Sequence, residues 1–269
     1  MPDLVPQLDA EALALFARKG LEAGPDAPQV GEGNAVKVRR VLQLTADLGG
    51  PLSELRILDL GCGEGVYAIE AGLWGAQVVA VDARDERMQH GVACAERHRL
   101  DNVAFRREDV RSIRPETYGD FDVVYCLGLL YHLDATDALA LLATVRKLCR
   151  RLLVVDTLVT LESEGEVEGY EGRRVREHED DDSEGVRRSR LLRSIDNTFA
   201  FHFTRDSLVR AVRDAGFSSV LECHVPREPG KRPDRITLAA LTGEPVSVAT
   251  YPWLNELSEP EIEERLRRS

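Results

Sequence analysis

Residues 57–65 read Ile-Leu-Asp-Leu-Gly-Cys-Gly-Glu-Gly, and this stretch restricts the fold of the 269-residue chain more than any other. Ile57, Leu58 and Leu60 make the near-continuous apolar run of a strand buried on both faces. Gly61, Gly63 and Gly65 follow at alternate positions, where the backbone must turn and where a missing side chain lets a ligand approach closely. From Val66 to Trp74 the pattern becomes helical, and a helix that starts here offers unpaired N–H donors to that ligand. Asp59 interrupts the apolar run. A carboxylate in such a strand is costly unless a backbone or ligand donor satisfies it, so Asp59 is a candidate binding residue.

The same order of strand, carboxylate and loop recurs downstream. Residues 77–81 form a second apolar strand ending in Asp82, about 20 residues past the glycine turn, where an α/β nucleotide fold sets a carboxylate against ribose hydroxyls. A solvent-facing strand end is the alternative for Asp82. A helix over 84–99 leads to a third strand at 103–106 and then Glu108-Asp109-Val110. Residues 121–127 form the fourth strand, ending at Leu127 and followed by Gly-Leu-Leu-Tyr-His-Leu. Ligands of open parallel sheets sit beyond the carboxyl ends of the strands, which makes Tyr131 and His132 candidate site residues. A helix over 137–149 and a fifth strand at 152–155, ending in Asp156-Thr157, complete a right-handed β/α alternation.

The Gly-x-Gly-x-Gly spacing is not the dinucleotide fingerprint, which has two more residues before its last glycine. The wording Asp-Leu-Gly-Cys-Gly-Glu-Gly resembles motif I of the class I S-adenosylmethionine-dependent methyltransferases, and Leu-Gly-Leu-Leu-Tyr-His-Leu looks like the motif after the fourth strand in several of their branches, one of which modifies wobble uridines in tRNA. The resemblance spans 57–157 and, more loosely, 194–241. It implies a doubly wound α/β fold with a mostly parallel seven-stranded sheet, N-terminal helices and a lid-like insertion. It also implies S-adenosylmethionine as cofactor, held by Asp59, Gly61, Gly63, Gly65, Asp82, Asp109, Val110 and Leu127. In that family the acid after the third strand accepts from the adenine amino group and the next backbone N–H meets the ring; Asp109 and Val110 match those positions. A turn aspartate that caps its neighbours is the alternative for Asp109.

Outside the core, residues 8–21 and 34–48 carry amphipathic helical patterns, the second stopped by Gly49-Gly50-Pro51. From 161 to 193 charge is dense and apolar residues are rare, a composition that orders weakly; long insertions in compact domains are often lids, and this one is expected to be a partly mobile cover for substrate. Residues 194–203 combine Asn197 with an aromatic cluster. Asn197, Phe201 and Tyr131 are expected to touch the acceptor, with core packing the alternative for the aromatics. Thr204 is a good N-cap for a helix ended by Gly216. Residues 217–225 and 235–241 read as strands flanking a Pro-rich turn at 226–233, and Tyr251-Pro252-Trp253 precedes a short charged helix. The resulting division is a helical cap (1–50), a cofactor core (51–160), the charged insertion with the acceptor connection (161–203), the rest of the sheet (204–246) and a tail (247–269).

The formal net charge of −12 disfavours a broad electrostatic grip on nucleic acid or an anionic membrane, so a small-molecule acceptor leads. The five cysteines are scattered without metal-ligand pairing, and no metal site is expected. They fit a reducing cytoplasm, and no secretion signal or membrane anchor is legible. Oligomeric state is not encoded in any feature of the chain. The reading is a methyltransferase acting on an oxygen or nitrogen of a metabolite or natural product. His132, then His202, is the proposed general base, because histidine titrates near neutrality; local packing is the alternative for His132. A tRNA-modifying enzyme stays open through the arginines at 173, 174, 176, 187, 188, 190 and 193, as does a binding module that holds the nucleoside without transfer.

Overall fold

A computed structural model describes residues 31–223, 234–246 and 259–267. The helix expected at 8–21, the turn at 226–233 and the Tyr251-Pro252-Trp253 segment lie outside the described residues.

The first described helix, α1 (Gly31–Gly49), buries Val38, Val41, Leu42 and Ala46 along one stripe, the 3.6-residue repeat of a helix lying on a sheet. Thr45 sits in the same stripe without penalty, since its hydroxyl donates to the Val41 carbonyl and shares a 2.8 Å hydrogen bond with Tyr125. The β/α core then runs β1 (Arg56–Leu60), α2 (Val66–Leu73), β2 (Gln77–Asp82), α3 (Asp85–His98), β3 (Val103–Arg107), α4 (Pro115–Tyr118), β4 (Phe121–Leu127), α5 (Ala135–Leu148) and β5 (Cys149–Leu158).

The main sheet has seven strands in the order β3-β2-β1-β4-β5-β10-β9, with β9 spanning Ser219–Glu222 and β10 spanning Arg235–Leu241. The pairs from β3 to β5 are parallel, whereas β10 runs antiparallel to both β5 and β9. This is the expected doubly wound sheet. Strand order reverses between β1 and β4, and the crevice outside their carboxyl ends is where such a sheet binds ligands. Strand periodicity divides the core between the two faces: Ile57, Val123 and Tyr125 pack beneath α1, α2 and α3, while Leu58, Leu60, Val124 and Cys126 pack beneath α5 and α7 (Arg205–Asp214).

The charged insertion has regular structure. Strands β6 (Gly165–Val167) and β7 (Tyr170–Arg176) join β8 (Phe199–Phe203) in a second, antiparallel sheet, and α6 (Glu184–Ser189) follows β7. Few apolar residues are needed, because β8 supplies them. The Arg174 and Arg176 guanidinium carbons lie 4.4 and 4.7 Å from the centre of the Phe199 ring, and the Phe201 ring fills the space above Gly172, where a Cβ would come within 2.5 Å of it. Phe201 itself is 3% exposed and packs edge-on against Phe203 in the core. Its expected acceptor contact is thereby corrected: in a strand, Phe201 and Phe203 share one face, and His202 takes the other.

Candidate functional site

The glycine turn is built as the motif requires. Gly61, Gly63 and Gly65 have φ of 65°, 56° and 80°, a region where a Cβ is strained. The Gly65 N–H closes the turn onto the Cys62 carbonyl at 2.9 Å, and Gly65 then caps α2. Asp82, at the end of β2, accepts from the Gly63 N–H at 2.9 Å with one oxygen and from the Arg84 N–H at 3.0 Å with the other. It therefore braces the glycine turn against the start of α3 while each oxygen keeps a second lone pair. Asp59 lies one strand position before Leu60, 1% exposed, with its Oδ2 lacking a hydrogen-bond partner. Burial, reinforced by the negative charge of Asp82, pushes its carboxyl from 3.8 up to about 7.

Two cavities open over this turn. The larger, about 350 Å³, is lined by Asp59, Gly63, Leu127, Tyr131, Leu192 and Arg235, among others, with Lys37 and Val38 of α1 on its wall. The smaller, about 80 Å³, is lined by Asp82, Asp109, Val110, Arg111 and residues 193–197. They share Gly61, Arg87, Gly128 and His132. Arg87 forms the partition: its Nη2 lies 2.7 Å from where a Cβ on Gly63 would be, and its Nη1 donates to the Leu191 carbonyl at 3.1 Å. Arg84, nearly buried, donates to the carbonyls of Arg193, Ser194 and Arg190. Two arginines three residues apart on the first turn of α3 thus hold down a strap, residues 190–197, across the smaller cavity.

His132 lies in the 3-10 turn after β4 and lines both cavities. Its Nδ1 is 3.1 Å from Glu177 Oε1, just beyond β7. Burial works to raise the Glu177 pKa, but the hydrogen bond and charge of His132 and the Ser194 N–H outweigh it and hold the carboxyl below its usual range. An ionised carboxylate can only accept, so Nδ1 carries a proton, and in the neutral imidazole Nε2 is left as the acceptor. His202 lies across β8 with its ring 6.0 Å from that of Tyr131 and lines neither cavity; burial lowers its pKa.

Asp109 lines the smaller cavity, yet its carboxylate is already engaged. Arg111 reaches both oxygens, with Nε at 3.0 Å from each and Nη2 at 2.6 Å from Oδ2, and its backbone N–H adds a fourth bond at 2.9 Å. Arg111 thus engages both oxygens through three N–H donors, Nε being shared between them, and the expected adenine contact would use the lone-pair site that remains. Asn197 also lies at the smaller cavity, not in the larger, and donates from Nδ2 to the His132 carbonyl at 3.3 Å. Asp156 pairs with Arg235 and accepts from Thr237. Among the described residues, no group of three or more His, Cys, Asp or Glu is placed to hold a metal ion, and no helix is long and apolar enough to cross a membrane.

Glu177, Arg84, Arg87 and Arg111 escaped the sequence reading. Arg84 and Arg87 carry a signal in retrospect, an i,i+3 pair immediately after the strand-end aspartate. Glu177 stands in a run of charges that nothing local distinguishes. The arginines that left nucleic acid open are largely engaged within the chain: Arg173 with Glu164, Arg176 with Glu179 and Asp180, Arg188 with Glu184, Arg190 with Asp182, and Arg187 with backbone carbonyls.

The family described as Methyltransferase domain matches residues 57–151. A ubiquinone biosynthesis O-methyltransferase of Acinetobacter baumannii (strain AYE) is 28% identical over 104 residues, 39% of this chain and 41% of that protein. One of the same name from Xanthomonas oryzae pv. oryzae (strain PXO99A) is 31% identical over 151 residues, 55% of this chain and 56% of that protein. The chain thus matches about half the length of these relatives or less. The crystal structure of the N-terminal domain of EvdMO1 with S-adenosylhomocysteine bound shares the fold, at TM-score 0.64 and 22% identity, covering 88% of this chain and 98% of that one. Glycine turn, strand-end carboxylates, sheet order and family match agree: this chain carries a class I S-adenosylmethionine-dependent methyltransferase domain.

Proposed function

We propose that the chain transfers a methyl group from S-adenosylmethionine to a hydroxyl oxygen of a small-molecule acceptor, with His132 taking the proton. The observation that carries this reading is the place of His132: among the described residues it is the one titratable side chain besides Arg87 that lines both cavities, and a buried carboxylate stands behind it.

The site fits the cofactor. Asp59, buried with an unpartnered oxygen, suits the ammonium of its amino-acid part. The remaining lone pairs of Asp82 suit a ribose diol, and Gly61 and Gly63 leave room for close approach. The bound cofactor supplies an activated methyl on a sulfonium that is already a good leaving group. The protein contributes alignment, exclusion of water and proton removal. Tyr131, Leu192 and Arg235 line the larger cavity, and a pocket of this size takes a small acceptor. His132 Nε2 is the acceptor for the hydroxyl proton, and Glu177 stabilises the imidazolium that results. The names of the curated relatives, O-methyltransferases of ubiquinone biosynthesis, support a hydroxyl acceptor.

The test is a screen of phenolic and other hydroxylated acceptors with labelled methyl donor, read by mass spectrometry, in wild type and His132→Ala. Turnover should fall about 10²–10⁴-fold in the variant while S-adenosylhomocysteine binding, followed by calorimetry, stays within about threefold. Near-normal turnover in the variant would remove His132 as base and point to an already nucleophilic nitrogen.

A further inference from the structure

Glu177 does more than face His132. Its side chain is 4% exposed, and its second oxygen accepts from the Ser194 N–H at 2.8 Å. Ser194 belongs to the strap over the smaller cavity. Its carbonyl accepts from Arg84 Nη2 at 3.1 Å and lies 2.7 Å from His178 Nε2, and its hydroxyl accepts from the Asn197 N–H at 3.1 Å. Arg84 in turn gives its backbone N–H to Asp82, whose other oxygen holds the Gly63 N–H. An unbroken series of hydrogen bonds therefore runs from the glycine turn through Asp82, Arg84, Ser194 and Glu177 to His132.

We propose that Glu177 is a positioning residue that makes the readiness of His132 depend on the 190–197 strap being seated over the nucleoside side of the site. The inference rests on the reading in which His132 removes the acceptor's proton. A carboxylate this enclosed needs donors for both oxygens, because each lost partner leaves buried charge uncompensated. The strap supplies one donor and His132 the other. When the strap lifts, Glu177 loses the Ser194 N–H that fixes its orientation, and His132 loses the partner that keeps the proton on Nδ1 and Nε2 free. Methyl donor seated beneath the strap and a competent base then occur together, and the acceptor hydroxyl is deprotonated only where a methyl group is ready to receive it. The other groups around His132 are Tyr131 beside it, His202 on β8 and Arg87, which lines both cavities with it and donates to the Leu191 carbonyl, with Arg193 acting on Glu177 and Asp234 on His202. None of them bridges to the strap and to the imidazole at once.

The experiment compares wild type, Glu177→Gln, Glu177→Asp and Arg84→Met. The last removes the guanidinium from the carbonyls of Arg190, Arg193 and Ser194 without touching His132. Three readouts are taken: titration of the His132 ring by NMR on histidine-labelled protein with S-adenosylhomocysteine present, the pH profile of kcat, and S-adenosylhomocysteine affinity by calorimetry. In Glu177→Gln, loss of the carboxylate should move the His132 titration and the acidic limb of the kcat profile to lower pH and cut kcat about 10²-fold, with KM changed less than about threefold. Glu177→Asp should restore part of both. Arg84→Met should shift the titration and the limb in the same direction by a smaller amount. Unchanged titration and limb in Glu177→Gln overturn the proposal. A shift in Glu177→Gln with none in Arg84→Met overturns the dependence on the strap and leaves Glu177 as a plain partner of His132. If wild type fails to bind S-adenosylhomocysteine, the functional reading beneath the proposal falls instead.

Discussion

The two cavities that meet at His132 differ in how far the protein satisfies its own polar groups. On the smaller side, Asp109 is held by three N–H donors of Arg111 and Asp82 by two backbone N–H groups. On the larger side, Asp59 sits fully buried with one oxygen unpartnered and its carboxyl pushed up to about 7. In the binding mode proposed above, the nucleoside would meet a side preorganised by intramolecular bonds, whereas the amino-acid part would meet a polar group whose cost a ligand can offset. Binding energy at the first end would then come from shape and spare lone pairs. At the second it would come from relieving a buried carboxylate, and that end should respond most strongly to substitution and to pH.

The largest effect is expected at Asp59. Below about pH 4 this carboxyl is protonated in folded and unfolded protein alike. Between about 4 and 7 the folded protein keeps a proton that the unfolded chain has released, so stability falls as pH rises through that window; above about 7 the buried charge carries its full cost. Asp59→Asn should remove this slope and leave the ligand-free protein more stable at pH 8 by on the order of a few kcal/mol. The same substitution should weaken S-adenosylhomocysteine binding, because an amide cannot pair with an ammonium as a carboxylate does. Thermal melts from pH 4 to 8, with and without ligand, measure both. Parallel slopes in wild type and variant would dissolve the contrast between the cavities.

Asp82 comes next and sharpens the comparison from the preorganised side. Asp82→Ala leaves the N–H groups of Gly63 and Arg84 without their acceptor and removes the proposed ribose partner, so S-adenosylhomocysteine should bind about 1–3 kcal/mol more weakly by calorimetry. Unlike Asp59→Asn, this variant should also lower the melting temperature of the ligand-free protein at neutral pH, since bonds that exist without ligand are lost. A loss of affinity with no loss of ligand-free stability would show that the glycine turn is braced by something else.

The contrast also separates what the sequence carries from what it hides. Residues 57–157 were legible because apolar strands, strand-end carboxylates and the glycine triplet are local patterns, each set by backbone geometry within a few residues. Strand β4 (Phe121–Leu127), the cap Thr204 and the turn at Gly216 could be read for that reason, while capping by Asp109 stood only as the alternative to a ligand contact. The second sheet could not. Strand β7 is arginine-rich and reads as poorly ordered, yet it folds because Phe199 and Phe201 arrive from more than twenty positions downstream to cover it. Partner choice was hidden for the same reason. Nothing near Glu177 announces that its two oxygens meet residues 45 positions before it and 17 after it, and nothing near Asp109 says that the Arg111 guanidinium, two residues on, will turn back onto its carboxylate. Phe201 failed as an acceptor residue because the alternation of a strand, invisible until the strand is known, turned it inward.

The smallest effect is expected at Asp109, and its smallness is the point. If the carboxylate received the adenine amino group, Asp109→Ala would cost as much affinity as Asp82→Ala. With both of its oxygens engaged by three N–H donors of Arg111, the substitution should instead weaken S-adenosylhomocysteine by less than about 1 kcal/mol. The loss should appear mainly in ligand-free stability, and modestly, because both partners are about a quarter to a third exposed and solvent screens the pair. Arg111 also reaches Asp196 and Asn197 on the strap at 2.7 and 3.5 Å. Freed from Asp109, it can strengthen those contacts, which would slow ligand release while leaving equilibrium affinity nearly constant. Stopped-flow release of S-adenosylhomocysteine alongside calorimetry separates the two. A drop in affinity matching that of Asp82→Ala would return Asp109 to direct contact with the base and show that Arg111 yields its carboxylate when the nucleoside arrives.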